Sequence, residues 1–381
     1  MSRILYFIVT VSFLDTFIQL PIITPYALEL GASHILAGAI VAVYSLTNMV
    51  GNIFGGHWID RFGRKKMLFA GMIAAFVILL FYPLAQSGEQ LFIIRFFHGL
   101  AGGVLIPAAF AYIGDMKQKS SGKVMALTGA CIGTAAIVGP AVGGAMAARA
   151  KVAYVFILVA VLFFISALLI LMFISESSIS TERGKASLRH FWPLLKNPAV
   201  LQASLAALAL MISNGTMAFA LPLKVAEMDL TSAATGMLLS LFGITALVVF
   251  LTPLNRIYDK YVPVVLVTIG IGIIGFVHIM LNIVSQVGIV TSLMIVYGIG
   301  FALVFPSMNK MINNAASSVD RGKAFGIFYA FFSLGVVAGS IVSGTSSETL
   351  GMPFLSSATT MVVVVIILLF ISRIKRQYRK N

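Results

Sequence analysis

The residue with the strongest chemical potential in this chain is an acid inside an apolar run. Twelve aspartates and glutamates are present, and the others fall in polar connections or near the ends of apolar runs. Asp15 lies eleven residues after Ile4, about 16 Å along a helix and close to the centre of a bilayer. A carboxylate there costs about 2.5 to 3.5 kcal/mol on insertion scales, and burial disfavours its charged form. Asp15 is therefore predicted to carry a proton; a neutral, hydrogen-bonded structural acid is the alternative.

Arg95 is the one lysine or arginine well inside an apolar run. It is about 8 Å deep, so its long side chain could approach the level of Asp15. His98 follows three residues later. Asp15, Arg95 and His98 are predicted to form a proton-coupling cluster, in which protonation of Asp15 releases Arg95 or a substrate. Hydrogen bonding of Arg95 to carbonyl groups of a neighbouring helix is the alternative.

The composition places these residues in a membrane protein. Apolar residues make up 60% of the chain, and charged residues 10%, which excludes a soluble fold. The predicted fold is an all-α polytopic membrane protein with twelve transmembrane helices in two six-helix halves, residues 1–174 and 199–381, joined by a cytoplasmic linker at 175–198. The predicted spans are 4–27, 35–58, 66–86, 90–114, 122–147, 152–174, 199–224, 233–255, 262–284, 288–312, 322–345 and 353–372.

The net charge of +14 would suggest a nucleic-acid partner in a soluble protein. Here 22 of the 26 lysines and arginines fall in segments predicted to be cytoplasmic and three in external ones. The positive-inside rule then places both termini and a basic C-terminal tail in the cytoplasm, and no polyanion is needed to explain the charge.

The linker could lie partly on the inner leaflet or be a solvated tether. A single cysteine, Cys131, excludes a disulfide framework.

The two halves of the chain repeat. The segment Gly99 to Pro107 aligns with Gly298 to Pro306 at an offset of 199, and Asp60 aligns with Asp259 at the same offset. Gly139 aligns with Gly339 at an offset of 200. Several landmarks that share nearly one offset, close to half the length, indicate duplication of a six-helix unit.

A short charged segment between the second and third predicted spans carries Gly56, Asp60, Arg61, Gly63 and Arg64. This spacing resembles the loop signature of the major facilitator superfamily of transporters; a plain positive-inside loop is the alternative. The resemblance implies a conformational latch on the cytoplasmic side. In that latch, Asp60 would contact the start of the eleventh helix near Gly322, and Arg64 would pair with Asp115.

The fifth predicted span contains a run of small residues around one proline. Its ordered residues are Gly133, Gly139, Pro140, Gly143 and Gly144, and they resemble the superfamily's antiporter signature, especially that of drug exporters. The second half lacks the proline, so the signature belongs to the first half. The segment around Arg95 also resembles the superfamily's fourth-helix signature, whose arginine is associated with proton coupling, although His98 stands where glutamine is frequent.

Other polar residues are predicted to face a substrate cavity at the membrane midplane: Gln19, Asn48, Asn52, Tyr112, Asn214, Tyr297, Asn309 and Tyr329. In the second half, aromatic residues would add an apolar surface that suits lipophilic cations: Phe219, Phe242, Phe301, Phe305, Phe331 and Phe332. Each of these polar residues, taken alone, is more often explained by helix packing, and many of the phenylalanines would face lipid.

The function predicted from this pattern is a proton-driven antiporter that exports lipophilic, cationic, drug-like compounds. It would be a multi-pass protein of the cell membrane, a monomer that needs the proton gradient but no cofactor or metal, and it would bind no nucleic acid. The sequence contains no nucleotide-phosphate loop, zinc-spaced histidines or nucleophilic triad, so an enzyme is not expected. The alternatives are an exporter of a specific metabolite, such as a sugar, metallophore or amphipathic lipid, and a membrane sensor or assembly factor that does not transport.

Overall fold

A computed structural model describes residues 2–115, 121–176, 194–315 and 321–378. In this part of the chain, every regular element is helical. The α-helices are α1 (Ser2–Ile18), α2 (Ile23–Glu29), α3 (His34–Phe62), α4 (Arg64–Leu79), α5 (Gly88–Asp115), α6 (Ser121–Arg149), α7 (Ala153–Phe173), α8 (Pro198–Ala226), α9 (Ser232–Leu251), α10 (Ile257–Lys260), α11 (Pro263–Ile283), α12 (Val287–Ala315), α13 (Arg321–Leu350) and α14 (Leu355–Tyr378).

The number of possible spans follows from helix length and apolar composition. Within the described residues, ten helices are long and apolar enough to cross a bilayer. The bent pair Ile4–Ile18 and Ile23–Glu29 makes an eleventh, whereas the apolar part of α14, Leu355–Ile371, is shorter. The structure thus supports a multi-pass helical fold with ten or eleven such helices; a twelfth span and cytoplasmic termini remain predictions.

The first predicted span, 4–27, is two helices rather than one. The axes of its two parts differ by 49°, and the break contains Pro21, which has no backbone N–H and cannot continue the helical ladder. The amides of Ile22 and Ile23 instead both donate to the carbonyl oxygen of Gln19, at 3.1 and 3.0 Å. The break places Gln19 just after the end of α1.

The chain forms two compact units. The first contains Met1–Arg183 and Leu221–Ser240, and the second contains Gly184–Ala220 and Leu241–Asn381. In the first unit, α3 packs along α5, α1 packs along α6, and α4 lies against α5 and α7. In the second unit, α11 packs against α12 and α14. The segment Leu221–Ser240, which follows the predicted linker at 175–198 in sequence, packs with the first unit.

Candidate functional site

Asp15 lies in the first unit with only 1% of its surface exposed. Its carboxylate oxygen Oδ1 accepts a hydrogen bond of 2.6 Å from Gln19 Nε2, and Oδ2 accepts one of 3.3 Å from the Tyr44 hydroxyl of α3. His98 Nε2 of α5 lies 3.2 Å from Oδ2, within ion-pair distance. Three helices therefore hold one buried acid, and its two oxygens face different partners.

Arg95 is linked to Asp15 through an amide side chain. Its NH1 donates to Gln19 Oε1 at 2.6 Å, while Nε donates to the backbone carbonyl of Ile40 at 3.2 Å. The guanidinium carbon lies 4.4 Å from the centre of the Tyr44 ring, which adds a cation–π contact. Arg95 thus bonds a backbone carbonyl, as the alternative interpretation expects, and also belongs to the cluster that contains Asp15.

His98 lies between the Asp15 carboxylate and a tyrosine. Its surface is 0% exposed, and Nδ1 lies 2.8 Å from the Tyr82 hydroxyl. Tyr82 in turn stacks on Phe156 of α7, with ring centres 3.9 Å apart, and its carbonyl accepts from the Tyr26 hydroxyl at 2.7 Å. The imidazole therefore connects the Asp15 carboxylate to a fixed tyrosine, and its orientation is set by packing from α2, α5 and α7.

The arrangement surrounds one buried carboxylate with polar partners. The Asp15 oxygens accept from Gln19 and Tyr44, and His98 Nε2 lies within ion-pair distance. Gln19 also links this carboxylate to Arg95. The sequence located Asp15, Arg95 and His98. It did not identify Tyr44 and Tyr82 as their partners, because buried tyrosines are common in apolar helices and no local pattern marks these two.

The predicted antiporter signature lies on α6 where this helix meets α1. A Cβ atom on Gly139 would lie 2.9 Å from the Phe17 Cβ, and one on Gly143 would collide with the carbonyl oxygen of Ile18. Glycines thus allow the backbone of α6 to approach the last turn of α1, three residues beyond Asp15. Gly133 has open space instead.

The second part of the signature contacts α9, which belongs to the same compact unit at this point. A Cβ on Gly144 would collide with the carbonyl oxygen of Ser232, and one on Gly236 would collide with that of Pro140. The Ser240 hydroxyl donates to the carbonyl of Ile137 at 2.6 Å. The glycines and Pro140 therefore form a close helix–helix contact with both α1 and α9.

The predicted latch lies at the junction of α3 and α4. Gly56, Asp60 and Arg61 are in the last two turns of α3, Gly63 separates the helices, and Arg64 begins α4. Gly63 has φ +98°, a backbone conformation that favours glycine. Asp115 is the last residue of α5. The side chains of Asp60 and Asp115 and the surroundings of Gly322 lie outside what the structure describes, so both predicted latch contacts remain predictions.

Glu176, which belongs to the predicted linker, contacts this junction directly. Its Oε1 accepts a hydrogen bond of 3.0 Å from the backbone amide of Lys65, in the first turn of α4. Lys65 Nζ donates to the carbonyl of Leu171 at the end of α7, at 3.3 Å. A carboxylate at a helix N-terminus and an ammonium at a helix C-terminus are both favourable. In the sequence, Glu176 could be recognised only as an acid two residues beyond the predicted span 152–174, because its partner Lys65 is 111 residues away.

The corresponding loop of the second half is tied differently. Tyr258 in α10 donates its hydroxyl to the carbonyl of Ala302 in α12 at 2.7 Å, and its own carbonyl accepts from Lys310 Nζ at 2.7 Å. Burial raises the pKa of Tyr258 to about 12, so the hydroxyl keeps its proton at physiological pH. Asp259 lies 3.9 Å from Lys310. One lysine and one tyrosine here anchor the loop to α12.

The predicted cavity residues fall into two groups. Gln19, Tyr112 and Tyr297 are buried, and Tyr112 donates to the carbonyl of Ser175 at 2.7 Å. The amides of the second group, which are partly exposed, bond within their own helices: Asn52 to Asn48, Asn214 to Leu210 and Asn309 to Phe305. Tyr329 is 54% exposed. Gln19 is the member of this set that contacts the Asp15 cluster.

The aromatic residues of the second unit form two rows. The Phe301 ring lies between those of Phe242 and Phe305, with ring centres 5.7 Å and 5.4 Å away, respectively. Phe219 is fully buried. On α13, Phe332 contacts Tyr329, whose neighbours are Phe325 and Phe328.

A separate cavity of about 290 Å³ in the first unit has a different lining: Pro25, Ala147, Ala148, Pro222, Val225, Ala226, Leu230, Thr231, Ser232 and Thr235.

Curated relatives include bacterial multidrug resistance proteins. The chain is 27% identical over 349 residues to multidrug resistance protein MdtG of Klebsiella pneumoniae, covering 87% of this chain and 83% of that protein. It is 30% identical over 138 residues to multidrug resistance protein 1 of Bacillus subtilis, a match that spans 36% of each protein and thus about a third of the relative's length.

Solved structures with the same fold include two other transporters. The nucleoside transporter NupG has a TM-score of 0.77 at 16% identity, and the match covers 97% of this chain and 98% of that one. A POT family transporter in complex with 5-aminolevulinic acid has a TM-score of 0.80 at 14% identity, with 98% and 96% coverage. At these identities the likeness shows the fold alone.

The family model for the Major Facilitator Superfamily matches residues 5–318 and 203–381, which together span almost the whole chain. This match agrees with the helical fold, with the duplicated halves and with the apolar helices long enough to cross a bilayer. The chain therefore belongs to the Major Facilitator Superfamily: it is a multi-pass membrane transporter and not an enzyme.

Proposed function

We propose that this transporter is a proton-coupled antiporter that exports lipophilic cations. The observation that carries the proposal is Asp15: it is 1% exposed, accepts hydrogen bonds from Gln19 and Tyr44, and lies beside His98. Intramembrane acids of this kind mark proton or substrate pathways. The multidrug resistance proteins among the relatives support export of drug-like compounds.

Coupling follows from the competition between a proton and the bonds to Asp15. In the ionised state, Gln19 bridges the carboxylate and Arg95 through two bonds of 2.6 Å. Protonation removes the negative charge from one end of that bridge, so Arg95 keeps its charge without the nearby countercharge. The free energy of the cluster then depends on whether Asp15 carries a proton. A difference of this kind between two conformations is what allows proton binding to drive alternating access.

Two observations favour a cationic substrate: the negative charge of ionised Asp15 and, separately, the aromatic surface of the second unit. Asp15 is the acid of the cluster, and a cationic substrate that replaces its proton would leave the charge of the site unchanged. As a separate observation on the second unit alone, Phe242, Phe301 and Phe305 lie side by side, and aromatic faces attract organic cations. An exchange of one proton for one monovalent cation at Asp15 is the simplest antiport scheme.

Purified protein in liposomes with an internal pH dye tests this function. A panel of lipophilic cations, including tetraphenylphosphonium and ethidium, is added across an imposed pH gradient. The proposal expects cation-dependent proton movement in the direction opposite to the cation. Folded protein that moves none of these cations and no protons would refute it, and a panel of anionic metabolites and lipids would follow.

Arg95 favours a second candidate, an exporter of an anionic metabolite. Arg95 is 5% exposed, and its guanidinium bonds the Gln19 side chain and the Ile40 carbonyl, which are both neutral. A guanidinium whose direct partners are neutral can also bind a carboxylate or phosphate group. Proton movement triggered by anions but not by cations would favour this function over the first.

A further inference from the structure

A second cluster of buried polar side chains lies in the second compact unit. It joins Ser213 of α8, His278 of α11 and Tyr297 of α12, and each of these side chains is 0% exposed. Ser213 Oγ lies 3.1 Å from His278 Nε2 and 2.9 Å from the Tyr297 hydroxyl. The imidazole and phenol rings are also stacked, with centres 6.0 Å apart and planes 7° from parallel. One serine hydroxyl thus links an imidazole to a phenol.

The other ring nitrogen of His278 has no such partner. Nδ1 is buried and makes no hydrogen bond with any described residue. A buried polar group left unpaired costs about 1 to 3 kcal/mol, and each case in a native protein calls for an explanation. The backbone around the ring is secured, since the His278 carbonyl accepts from Asn282 Nδ2 at 3.2 Å and Asn282 Oδ1 accepts from the Phe354 amide at 3.3 Å. The structure thus holds an imidazole firmly while one of its nitrogens stays unbonded.

The internal repeat relates this cluster to the one around Asp15. The repeat has an offset of 199 residues, and Tyr297 stands at that distance after His98. Ser213 follows Asp15 by 198 residues, and His278 follows Tyr82 by 196 residues, so both lie close to the same offset. Each half therefore places a histidine–tyrosine pair beside a polar residue of its first long helix. The histidine and the tyrosine have exchanged positions, and a hydroxyl replaces the acid. Each half thus carries one buried imidazole within a corresponding cluster.

We propose that His278 is a second proton-binding site of this transporter, with Ser213 and Tyr297 as its hydrogen-bond partners. The inference rests on the proposed proton-coupled function and extends it to the second half. The proton binds the lone pair of Nδ1, while Nε2–H donates to Ser213 Oγ and the serine hydroxyl donates to the Tyr297 oxygen. No covalent bond other than Nδ1–H forms or breaks, and the cluster gains one positive charge.

The surroundings make that charge a conformational signal. Among the described residues, the titratable group in contact with His278 is Tyr297. Lys224 on α8 lies eleven residues beyond Ser213, and Lys310 on α12 lies thirteen residues beyond Tyr297, about 16 and 20 Å along their helices. Neither α11 nor the segment Leu355–Ile371 contains Asp, Glu, Lys or Arg. A proton on His278 is therefore uncompensated here and favours a conformation in which Nδ1 meets water or an acceptor.

Nitrogen-15 NMR of histidine-labelled full-length protein tests the site directly. The imidazole signal of His278 is assigned by its loss in the His278→Gln variant, and His34→Gln, which alters the first residue of α3, is the matched control. Because burial disfavours the imidazolium, the signal is expected to titrate between about pH 5 and pH 8 only where the protein reaches the conformation that brings Nδ1 to water or an acceptor, in the absence or the presence of tetraphenylphosphonium. An imidazole that stays neutral throughout that range under both conditions overturns the proposal.

Proton release on binding of tetraphenylphosphonium separates this site from Asp15. The Asp15→Asn variant is expected to retain a pH-dependent release, and the double variant with His278→Gln is expected to lose it, a decrease of about one proton per transporter. Equal release by Asp15→Asn and the double variant contradicts the inference while leaving the proposed function intact. If wild-type protein releases no protons with any cation, the proposed function fails instead, whatever the imidazole signal does.

A second variant guards against misfolding of His278→Gln. Ser213→Ala keeps the imidazole and removes its partner at Nε2. Because that partner stabilises the imidazolium, the midpoint of the His278 signal is expected to fall by about one pH unit. An unchanged midpoint in the folded Ser213→Ala protein also contradicts the proposal.

Discussion

Gln19 is the residue whose replacement tests the linkage between Asp15 and Arg95 most sharply. Its amide donates to Asp15 Oδ1 and accepts from Arg95 NH1, both at 2.6 Å. Gln19→Leu keeps a side chain of similar size and removes both bonds. A hydrogen bond to a charged group is worth about 1.5 to 3 kcal/mol, and one pH unit corresponds to about 1.4 kcal/mol. The loss of one donor to the carboxylate therefore corresponds to about one to two pH units.

The direction of the shift in Gln19→Leu depends on which protonation state of Asp15 loses a hydrogen-bond donor. The amide donor stabilises ionised Asp15, so its removal makes proton uptake easier, and the midpoint of the transport–pH profile is expected to rise. Arg95 does not replace the lost donor, because its bond to the Ile40 carbonyl and its contact with the Tyr44 ring hold the guanidinium in place. Transport of tetraphenylphosphonium in proteoliposomes between about pH 5 and pH 9 measures the midpoint.

The matched control for this prediction is Gln202→Leu. Gln202 is a buried glutamine of α8 with 5% exposure, against 2% for Gln19, and it lies outside the Asp15 cluster. Its replacement is expected to leave the midpoint unchanged. A Gln19→Leu profile that coincides with that of the wild type, or that moves to lower pH, would refute the role assigned to the bridge.

Three further predictions concern the helix contacts and the latch. Gly143→Ala places a methyl group against the Ile18 carbonyl. It is expected to lower the free energy of unfolding by about 1 to 3 kcal/mol, which denaturation in detergent measures. The control Gly133→Ala, where the added methyl group meets open space, is expected to leave the free energy of unfolding unchanged. Gly63→Ala, at φ +98° and against the Glu176 carboxylate, is expected to cost about 1 to 3 kcal/mol; if Glu176→Ala removed the whole cost, the backbone conformation would not be its cause. Asp60→Asn is expected to lower transport while leaving the protein folded, and full activity in liposomes would contradict the latch.

Depth along the chain was enough to locate the charged residues of the candidate site. Counting from Ile4 placed Asp15 near the middle of a span, and the structure finds it buried beside His98. The bond between Gln19 and Arg95 joins residues 76 positions apart, and its geometry depends on the 49° bend at Pro21. Apolar periodicity does not predict such a bend, so the sequence indicated Gln19 as a polar side chain without showing that it bridges two charges.

The partners that the sequence did not identify share one property: their local surroundings are ordinary. Glu176 lies in a polar stretch that is typical of a linker, and its function at the α4 N-terminus comes from the fold alone. His278 stands in the continuous apolar run of α11 with no acid nearby in sequence, and it gains its partners from α8 and α12. Sequence patterns therefore locate an ionisable residue within an apolar run, whereas the contacts between helices show which residues bind its side chain.

Substrate-driven proton movement in the Asp15→Asn variant is the most direct test of proton coupling at the buried acid. Wild-type protein, Asp15→Asn and the control Asp229→Asn, which alters an exposed acid, are compared in liposomes with an internal pH dye and tetraphenylphosphonium. Proton movement is expected in the wild type and the control and is expected to be strongly reduced in Asp15→Asn. Equal proton movement in all three proteins would contradict the assignment of Asp15 as the coupling site.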